Sequence, residues 1–262
     1  MAHSETSDDD GGLDLFDEPE GFRPKTPPPT TASYTLRLCG DGEGQQAEEH
    51  EIQLDLVGSH PLWGHHLWNA APTLSDFLAG SDRGHHWCKG ARVLELGAAA
   101  GLPSIVAAKL GAKRVIATDY PDPGLITNLS TNLARGSTEG SAGCASAQGY
   151  IWGHDAAPLL SELEGEKFDL LILSDLIFNH QAHPALLQTM DACLAPPRPC
   201  ALVFFSHHRP HLADRDMDFF TQAGNAGWLC EEVGQWKMPP MFPKDAGSEE
   251  VRGTVHGWRV WR

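Results

Sequence analysis

At 262 residues the chain can bury one substantial core, and two independent domains would be a tight fit. Its hydrophobic content of 41% and charged content of 21% are those of a globular protein, and no apolar run approaches the roughly 20 residues that a membrane span needs. A formal net charge of −16 argues against a nucleic-acid binder, which needs a basic surface, and fits either a basic partner or an acidic surface kept for solubility.

The chain opens on MAHSETSDDDGG and continues through EPEGFRPKTPPPTT, poor in aliphatic residues and rich in proline. This composition predicts a flexible arm over residues 1–32, in which Leu13-Asp14-Leu15-Phe16 is the one short stretch suited to anchoring. The opening residues have neither the positive start nor the apolar core of a secretory signal, so the expected address is cytoplasmic. Six scattered cysteines (39, 88, 144, 193, 200, 230) contain no CxxC pair, which speaks against a disulfide scaffold or a zinc ribbon.

Residues 33–57 alternate as strands do, YTLRLCG and HEIQLDLVG around a Gly/Glu-rich turn, and predict a β-hairpin. Helical spacing follows at Leu67, Ala70, Ala71, Leu74, Phe77 and Leu78. From residue 91 strands and helices alternate. ARVLELG, RVIATDY, QGYIWG, FDLLILSDLIF and CALVFFSHH read as five strands, with helices at LPSIVAAKLG, GLITNLSTNLARG and HPALLQTMDACLA. WLCEEVGQWKM and TVHGWRVW close the chain as two more strands without a long helix between them. The expected fold is α/β: a Rossmann-like, seven-stranded, mostly parallel sheet with a C-terminal antiparallel hairpin, within a domain spanning 33–262.

In such a sheet ligands bind beyond the carboxyl ends of the strands, where strand order reverses. The turn after the first strand of the alternation reads GAAAG, from Gly97 to Gly101, with Ala99 where a dinucleotide fingerprint has its second glycine. That departure disfavours a pyrophosphate, which needs close backbone approach throughout the turn. Asp119, 22 residues after Gly97, ends the next strand, where a carboxylate can hold both hydroxyls of a ribose. Glu95, just before the turn, can face a positive charge. A ribose without pyrophosphate beside a cationic group describes S-adenosyl-L-methionine (SAM). Trp152 would give the adenine a wall, and the stretch from Ser174 to His180 would lie beside the transferred methyl.

The strings LWNAAPTLSDFLA, VLELGAAAGLPSIVAAKLGAKRVIATDY, GYIWG and SDLIFNHQAH together resemble the seven-β-strand SAM-dependent methyltransferases, in particular the protein-lysine branch, methyltransferase family 16. PLWGHHLWNA, TDYPD and SDLIFNH are similar to a fungal subgroup acting on the N-terminal glycine and adjoining lysine of translation elongation factor 1-alpha. The resemblance spans 54–262 with the FDEPEGF segment and leaves out the proline-rich arm. It implies that Gly97, Ala98 and Ala99 meet the methionine part through their backbones, with Gly101 closing the turn. It further implies Asp119 on the ribose beside Tyr120, Trp152 at the adenine, Ser174 in the pocket, and Trp68 closing the site with Trp63 as a second indole. Phe178 stands where the branch's D-x-x-Y motif carries tyrosine, so no phenol is available to the target amine.

Methyl transfer needs a neutral, aligned amine, and Asp175 with Asn179 and His180 is the expected group for orienting it. His208 and Arg209, ending the fifth strand, are candidates for the substrate channel, whereas Trp258 and Trp261 are expected to pack the last strand. The pairs His65-His66, His85-His86 and His207-His208 do not converge as metal ligands do, so no metal is expected. The expected partner is a basic protein substrate, the N-terminus of elongation factor 1-alpha, with no nucleic acid or membrane and the enzyme a monomer. A small-molecule, nicotinamide-like N-methyltransferase and a catalytically silent SAM-fold scaffold stay open as alternatives.

Overall fold

The computed structural model describes residues 27–38, 48–80, 87–136, 143–196 and 199–262. The expected arm thus falls largely outside the described residues, as do the FDEPEGF segment, Leu13 to Phe16, His85, His86 and Cys39. The hairpin is formed by β1 (Thr30–Leu38) and β2 (Glu48–Leu56), antiparallel, with Thr30 opposite Leu56. Its strand begins within the segment assigned to the arm, because Thr30 to Ala32 complete the ladder with Leu54 to Leu56. Helix α1 (Ala70–Ala79) follows.

The larger sheet contains β3 (Arg92–Leu96), β4 (Arg114–Asp119), β5 (Ala145–Gly149), β6 (Leu170–Ser174), β7 (Cys200–Ser206), β8 (Leu229–Lys237) and β9 (Thr254–Trp261). Their spatial order is β5-β4-β3-β6-β7-β9-β8, and only β9 runs antiparallel to its neighbours. The seven-stranded, mostly parallel sheet expected from the sequence is therefore present. The chain moves outward from β3 in one direction and returns to β6 on its other side, so the topological switch lies between the ends of β3 and β6.

The central strands are mostly apolar because both faces of the sheet are covered, with Glu95, Thr118 and Asp119 the buried polar exceptions in β3 and β4. Successive residues point to opposite faces, so Val93 and Leu170 join one core while Leu94 and Leu171 join the other. The first core holds the hairpin, α1, α2 (Leu102–Lys109) and α3 (Pro123–Gly136). The second holds α4 (Ala157–Ser161), α5 (His183–Cys193) and α6 (Ala213–Asn225). A short α7 (Glu249–Gly253) precedes β9. Trp258 stacks on Phe220 with ring centroids 4.3 Å apart, and Trp261 lies under Arg259, so both indoles pack the last strand as expected.

Two local readings are corrected. QGYIWG is a strand only in its first two residues: β5 starts earlier, at Ala145, and ends at Gly149, where the ladder with Asp119 stops. Tyr150–Gly153 form the following loop, tied by the Tyr150 hydroxyl to the His154 carbonyl at 2.8 Å. Helix α6, between β7 and β8, adds an element beyond the three helices expected from residue 91 onward, with Phe219, Phe220 and Ala223 buried along one face. Among the described residues no helix is long and apolar enough to cross a membrane.

One buried amide couples the hairpin to the turn after β3. Asn132, fully buried on α3, accepts from the Asp55 N–H at 2.8 Å and donates to the Asp55 carbonyl at 2.9 Å and the Ala100 carbonyl at 3.1 Å. Asn132→Ala leaves these backbone groups without partners and is expected to cost about 2–3 kcal/mol, read from the denaturation midpoint.

Candidate active site

The turn between β3 and α2 is shaped by its glycines and one carboxylate. Gly97 has φ 60° and Gly101 φ 79°, conformations that favour glycine, and a Cβ on Gly97 would lie 2.6 Å from Leu176. Ala99 also takes a left-handed φ of 47°, and its N–H donates to Asp119 Oδ2 at 2.7 Å. The Tyr120 N–H holds the other oxygen, also at 2.7 Å. Burial raises the Asp119 pKa above the usual carboxylate range, against the pull of these two bonds.

Over this turn opens a cleft of about 480 Å³. It is lined by Trp63, Trp68, Gly97, Ala99, Asp119, Tyr120, Trp152, Ser174, Asp175, Phe178 and Asn179, bringing most of the expected site together. Glu95, Ala98 and Gly101 instead line a small adjoining cavity that shares Trp68, Gly97, Ala99 and Ser174 with the cleft. Leu62, Tyr150, Ile151 and Leu176 also line the main space. Leu62, Trp63, Tyr120 and Ile151 are exposed apolar side chains gathered on this one cleft, as a ligand-binding surface requires. Trp68 Nε1 donates to the Trp63 carbonyl at 3.1 Å, fixing the two indoles relative to each other.

Glu95 is fully enclosed, and its carboxylate receives the Ser104 N–H at 3.0 Å and the Ser104 hydroxyl. It thus caps α2 as well as bordering the turn, a role its position before the turn did not reveal. Burial pushes its pKa up to about 8, with the Ser104 bonds opposing.

Asp175 follows β6 and has a left-handed φ of 58° that ends the strand. Its Oδ1 accepts from His208 Nε2 at 2.9 Å and the Ser206 N–H at 3.4 Å, while its buried Oδ2 has no partner. Three of the four described non-glycine residues with positive φ, Trp63, Ala99 and Asp175, thus line the cleft, where such strain tends to be kept. The His208 ring packs 4.8 Å from that of Trp68. Burial alone would lower the His208 pKa, but the charge and hydrogen bond of Asp175, helped by Asp216, outweigh it and the opposing Arg209, and the net shift is upward.

His180 does not join Asp175. It turns to Asp216, which also meets His207, each at 2.7 Å, because this buried carboxylate on α6 needs both imidazoles as partners. Asp216 was invisible from its sequence context, lying 36 residues beyond His180. Arg209 Nη2 donates to the Phe178 carbonyl at 3.2 Å, which puts it beside the cleft rather than on its lining.

A family model described as lysine methyltransferase matches residues 46–226. A Schizosaccharomyces pombe protein named protein N-terminal and lysine N-methyltransferase is 44% identical over 253 residues, covering 95% of each chain. A protein of the same name from Cryptococcus neoformans is 46% identical over 279 residues, covering 99% of this chain and 91% of its own. Among solved structures, a Streptococcus mutans protein described as a candidate SAM-dependent methyltransferase superposes with a TM-score of 0.51 at 11% identity, over 80% of this chain and 53% of its own. At that identity the likeness is one of fold.

Two pH dependences follow. The native state holds the Glu95 proton more tightly than the unfolded chain between 4.5 and about 8, so stability falls as pH rises through that window. Glu95→Gln keeps an acceptor for Ser104 without titrating, and its Tm should fall less than the wild type's between about pH 5 and about pH 8. The proton on His208 is likewise favoured by folding. Its contribution is full below the ordinary value of about 6.5 and is lost as pH rises through the raised folded value, so the Tm gap between wild type and His208→Gln should narrow as the pH is raised.

Proposed function

The chain belongs to the lysine methyltransferase family that its residues 46–226 match, and from that premise we propose that it is a SAM-dependent protein N-methyltransferase. We assign it the acceptors named for its relatives, a polypeptide N-terminal amine and a lysine. From the resemblance carried by PLWGHHLWNA, TDYPD and SDLIFNH we take the N-terminal glycine and adjoining lysine of translation elongation factor 1-alpha as the substrate and the cytoplasm as the setting. The observation that carries this reading is Asp175, a carboxylate on the lining of the cleft whose Oδ2 has no hydrogen-bond partner among the described residues and which a small turn of the side chain would present to an incoming amine.

The residues present fit the cofactor. Asp119 accepts one backbone N–H on each oxygen and retains lone pairs for two ribose hydroxyls. Tyr120, Ile151 and Trp152 offer a wall for the adenine, and the missing Cβ at Gly97 keeps the turn open beneath the methionine part. Glu95 Oε2 is taken by Ser104, which leaves its other oxygen for a cationic group at the smaller cavity. When bound, SAM supplies an electrophilic methyl on a sulfonium that departs as a neutral thioether.

Since the leaving group departs neutral, the protein's task is to hold a neutral amine in line. At neutral pH, deprotonation costs an α-amine roughly 1 kcal/mol and a lysine roughly 4–5 kcal/mol, from their ordinary pKa values. Asp175 attracts the ammonium form, which releases its proton to solvent at the cleft mouth, and the carboxylate, fixed from behind by His208, then orients the neutral amine. Phe178 and Asn179 border the path, and the apolar walls exclude water that would otherwise solvate the charged amine.

Asp175→Asn can keep the bond from His208 while removing the charge. We expect kcat on an N-terminal peptide to fall about 100-fold with SAM affinity changed less than about three-fold, measured by turnover and calorimetry. A collapse of SAM affinity would instead make Asp175 a cofactor or folding residue.

A further inference from the structure

Beyond Phe178 and Asn179 lies a second cavity, of about 250 Å³, lined by these two residues with His180, Gln181, Arg209 and Arg215. It shares a wall with the cleft, since Phe178 and Asn179 line both. Its polar side chains are two amides and two guanidiniums able to donate hydrogen bonds, with the His180 imidazole already turned to Asp216, and it has no carboxylate on its lining. In a chain with 35 acidic and 19 basic residues that is a local inversion of charge.

The arginines here differ from most of those elsewhere, although buried Arg252 also lacks an ion pair among the described residues and donates to the Phe242 carbonyl. Arg37, Arg92, Arg114, Arg135 and Arg262 each form an ion pair with a carboxylate, and Arg259 lies over the rings of Trp87 and Trp261. Arg209 is anchored only on the Phe178 carbonyl, and Arg215 has neither an ion pair nor a side-chain hydrogen bond among the described residues. Of the acids that flank Arg215 in sequence, Asp216 is buried and occupied by His180 and His207, while Asp214 and Asp218 are exposed and form no ion pair with Arg215 among the described residues. Two guanidiniums without an ion pair, one of them held in place by a backbone carbonyl, can receive an oxyanion, which guanidinium forks bind bidentately.

We propose that this cavity binds a carboxylate side chain of the polypeptide substrate, a few residues along from the amine held at Asp175. The proposal rests on the reading of the protein as a polypeptide N-methyltransferase and adds the acidic residue that the substrate must carry. An extended chain advances about 3.3–3.6 Å per residue, so a neighbouring cavity is reached within a handful of positions. The acidic surface as a whole draws in a basic segment, and the inverted patch sets its register, because a peptide shifted by one residue leaves the arginines without a partner. A small-molecule amine confined to the cleft would make no use of it.

The test uses the full chain and synthetic peptides beginning Gly-Lys, in which a single glutamate is moved through positions 3 to 7 of an otherwise neutral sequence, each paired with its glutamine counterpart. We expect one position, or two adjacent ones, at which glutamate raises kcat/KM about ten-fold over glutamine, mostly through KM, as a charge-assisted pair does. The preference should fall below about two-fold in Arg209→Gln and Arg215→Gln, and Arg215→Glu should favour a lysine peptide at the same position. Equal rates for glutamate and glutamine at every position, with the peptides methylated, overturn this proposal and leave the activity standing. A phosphoserine peptide preferred over glutamate by about ten-fold or more overturns the carboxylate in favour of a phosphate. Transfer to small amines with no peptide methylated overturns both the proposal and the reading beneath it.

Discussion

The hydrogen bond from the Ala99 N–H to the Asp119 carboxylate joins the turn after β3 to the end of β4, and the floor of the cleft depends on it. It acts beside a second tie to the same strand, the Ala98 N–H donating to the Thr118 carbonyl at 2.9 Å, and together they restrain a left-handed alanine between two left-handed glycines. So restrained, the turn is held open under the cleft and the carboxylate is aimed across it. Asn132 supports the same turn from behind through the Ala100 carbonyl, so the outlying hairpin and the cleft floor share one buried amide.

Three carboxylates stand near the carboxyl ends of three neighbouring strands, and they differ in how their oxygens are satisfied. Glu95 is tied to the start of α2, Asp119 is held by two backbone N–H groups, and Asp175 is bonded through one oxygen only. Burying a carboxylate is costly unless donors compensate it, and the enclosed Glu95 shows that cost as an upward pKa shift. Asp175 alone of the three has a buried oxygen recorded without a donor, which makes it the place where an incoming N–H gains most. Behind it, His208 ties β7 to the end of β6, and Asp216 gathers His180 and His207. The cleft wall is therefore fixed by side chains from two loops and a helix.

Much of this was legible in the residues themselves. The apolar runs RVLEL, RVIATD and LLILS required burial on both faces, and helices between them left few alternatives to a parallel sheet. GAAAG with Asp119 downstream identified the turn and the carboxylate facing it, because both are fixed by local chain geometry at the end of a strand. QGYIWG misled because its aromatics suit a strand as well as a loop, and the ladder stops at Gly149 only where its neighbour β4 ends. Glu95 looked free to face a ligand because nothing in VLELG announces that a serine nine residues later will claim one of its oxygens.

The sequence alone determined the elements, the turn and the identity of the carboxylates, since periodicity and turn chemistry report on interactions among residues close along the chain. Tertiary structure decided that β9 inserts between β7 and β8, that His208 rather than His180 supports Asp175, and that Arg209 and Arg215 meet across a cavity without an ion pair among the described residues. Asp175 and His208 are 33 residues apart, and His180 and Asp216 are 36 apart. Which polar groups become partners over such distances is set by how the loops pack at one end of the sheet, because a buried group must find its donor there whatever its place in the chain.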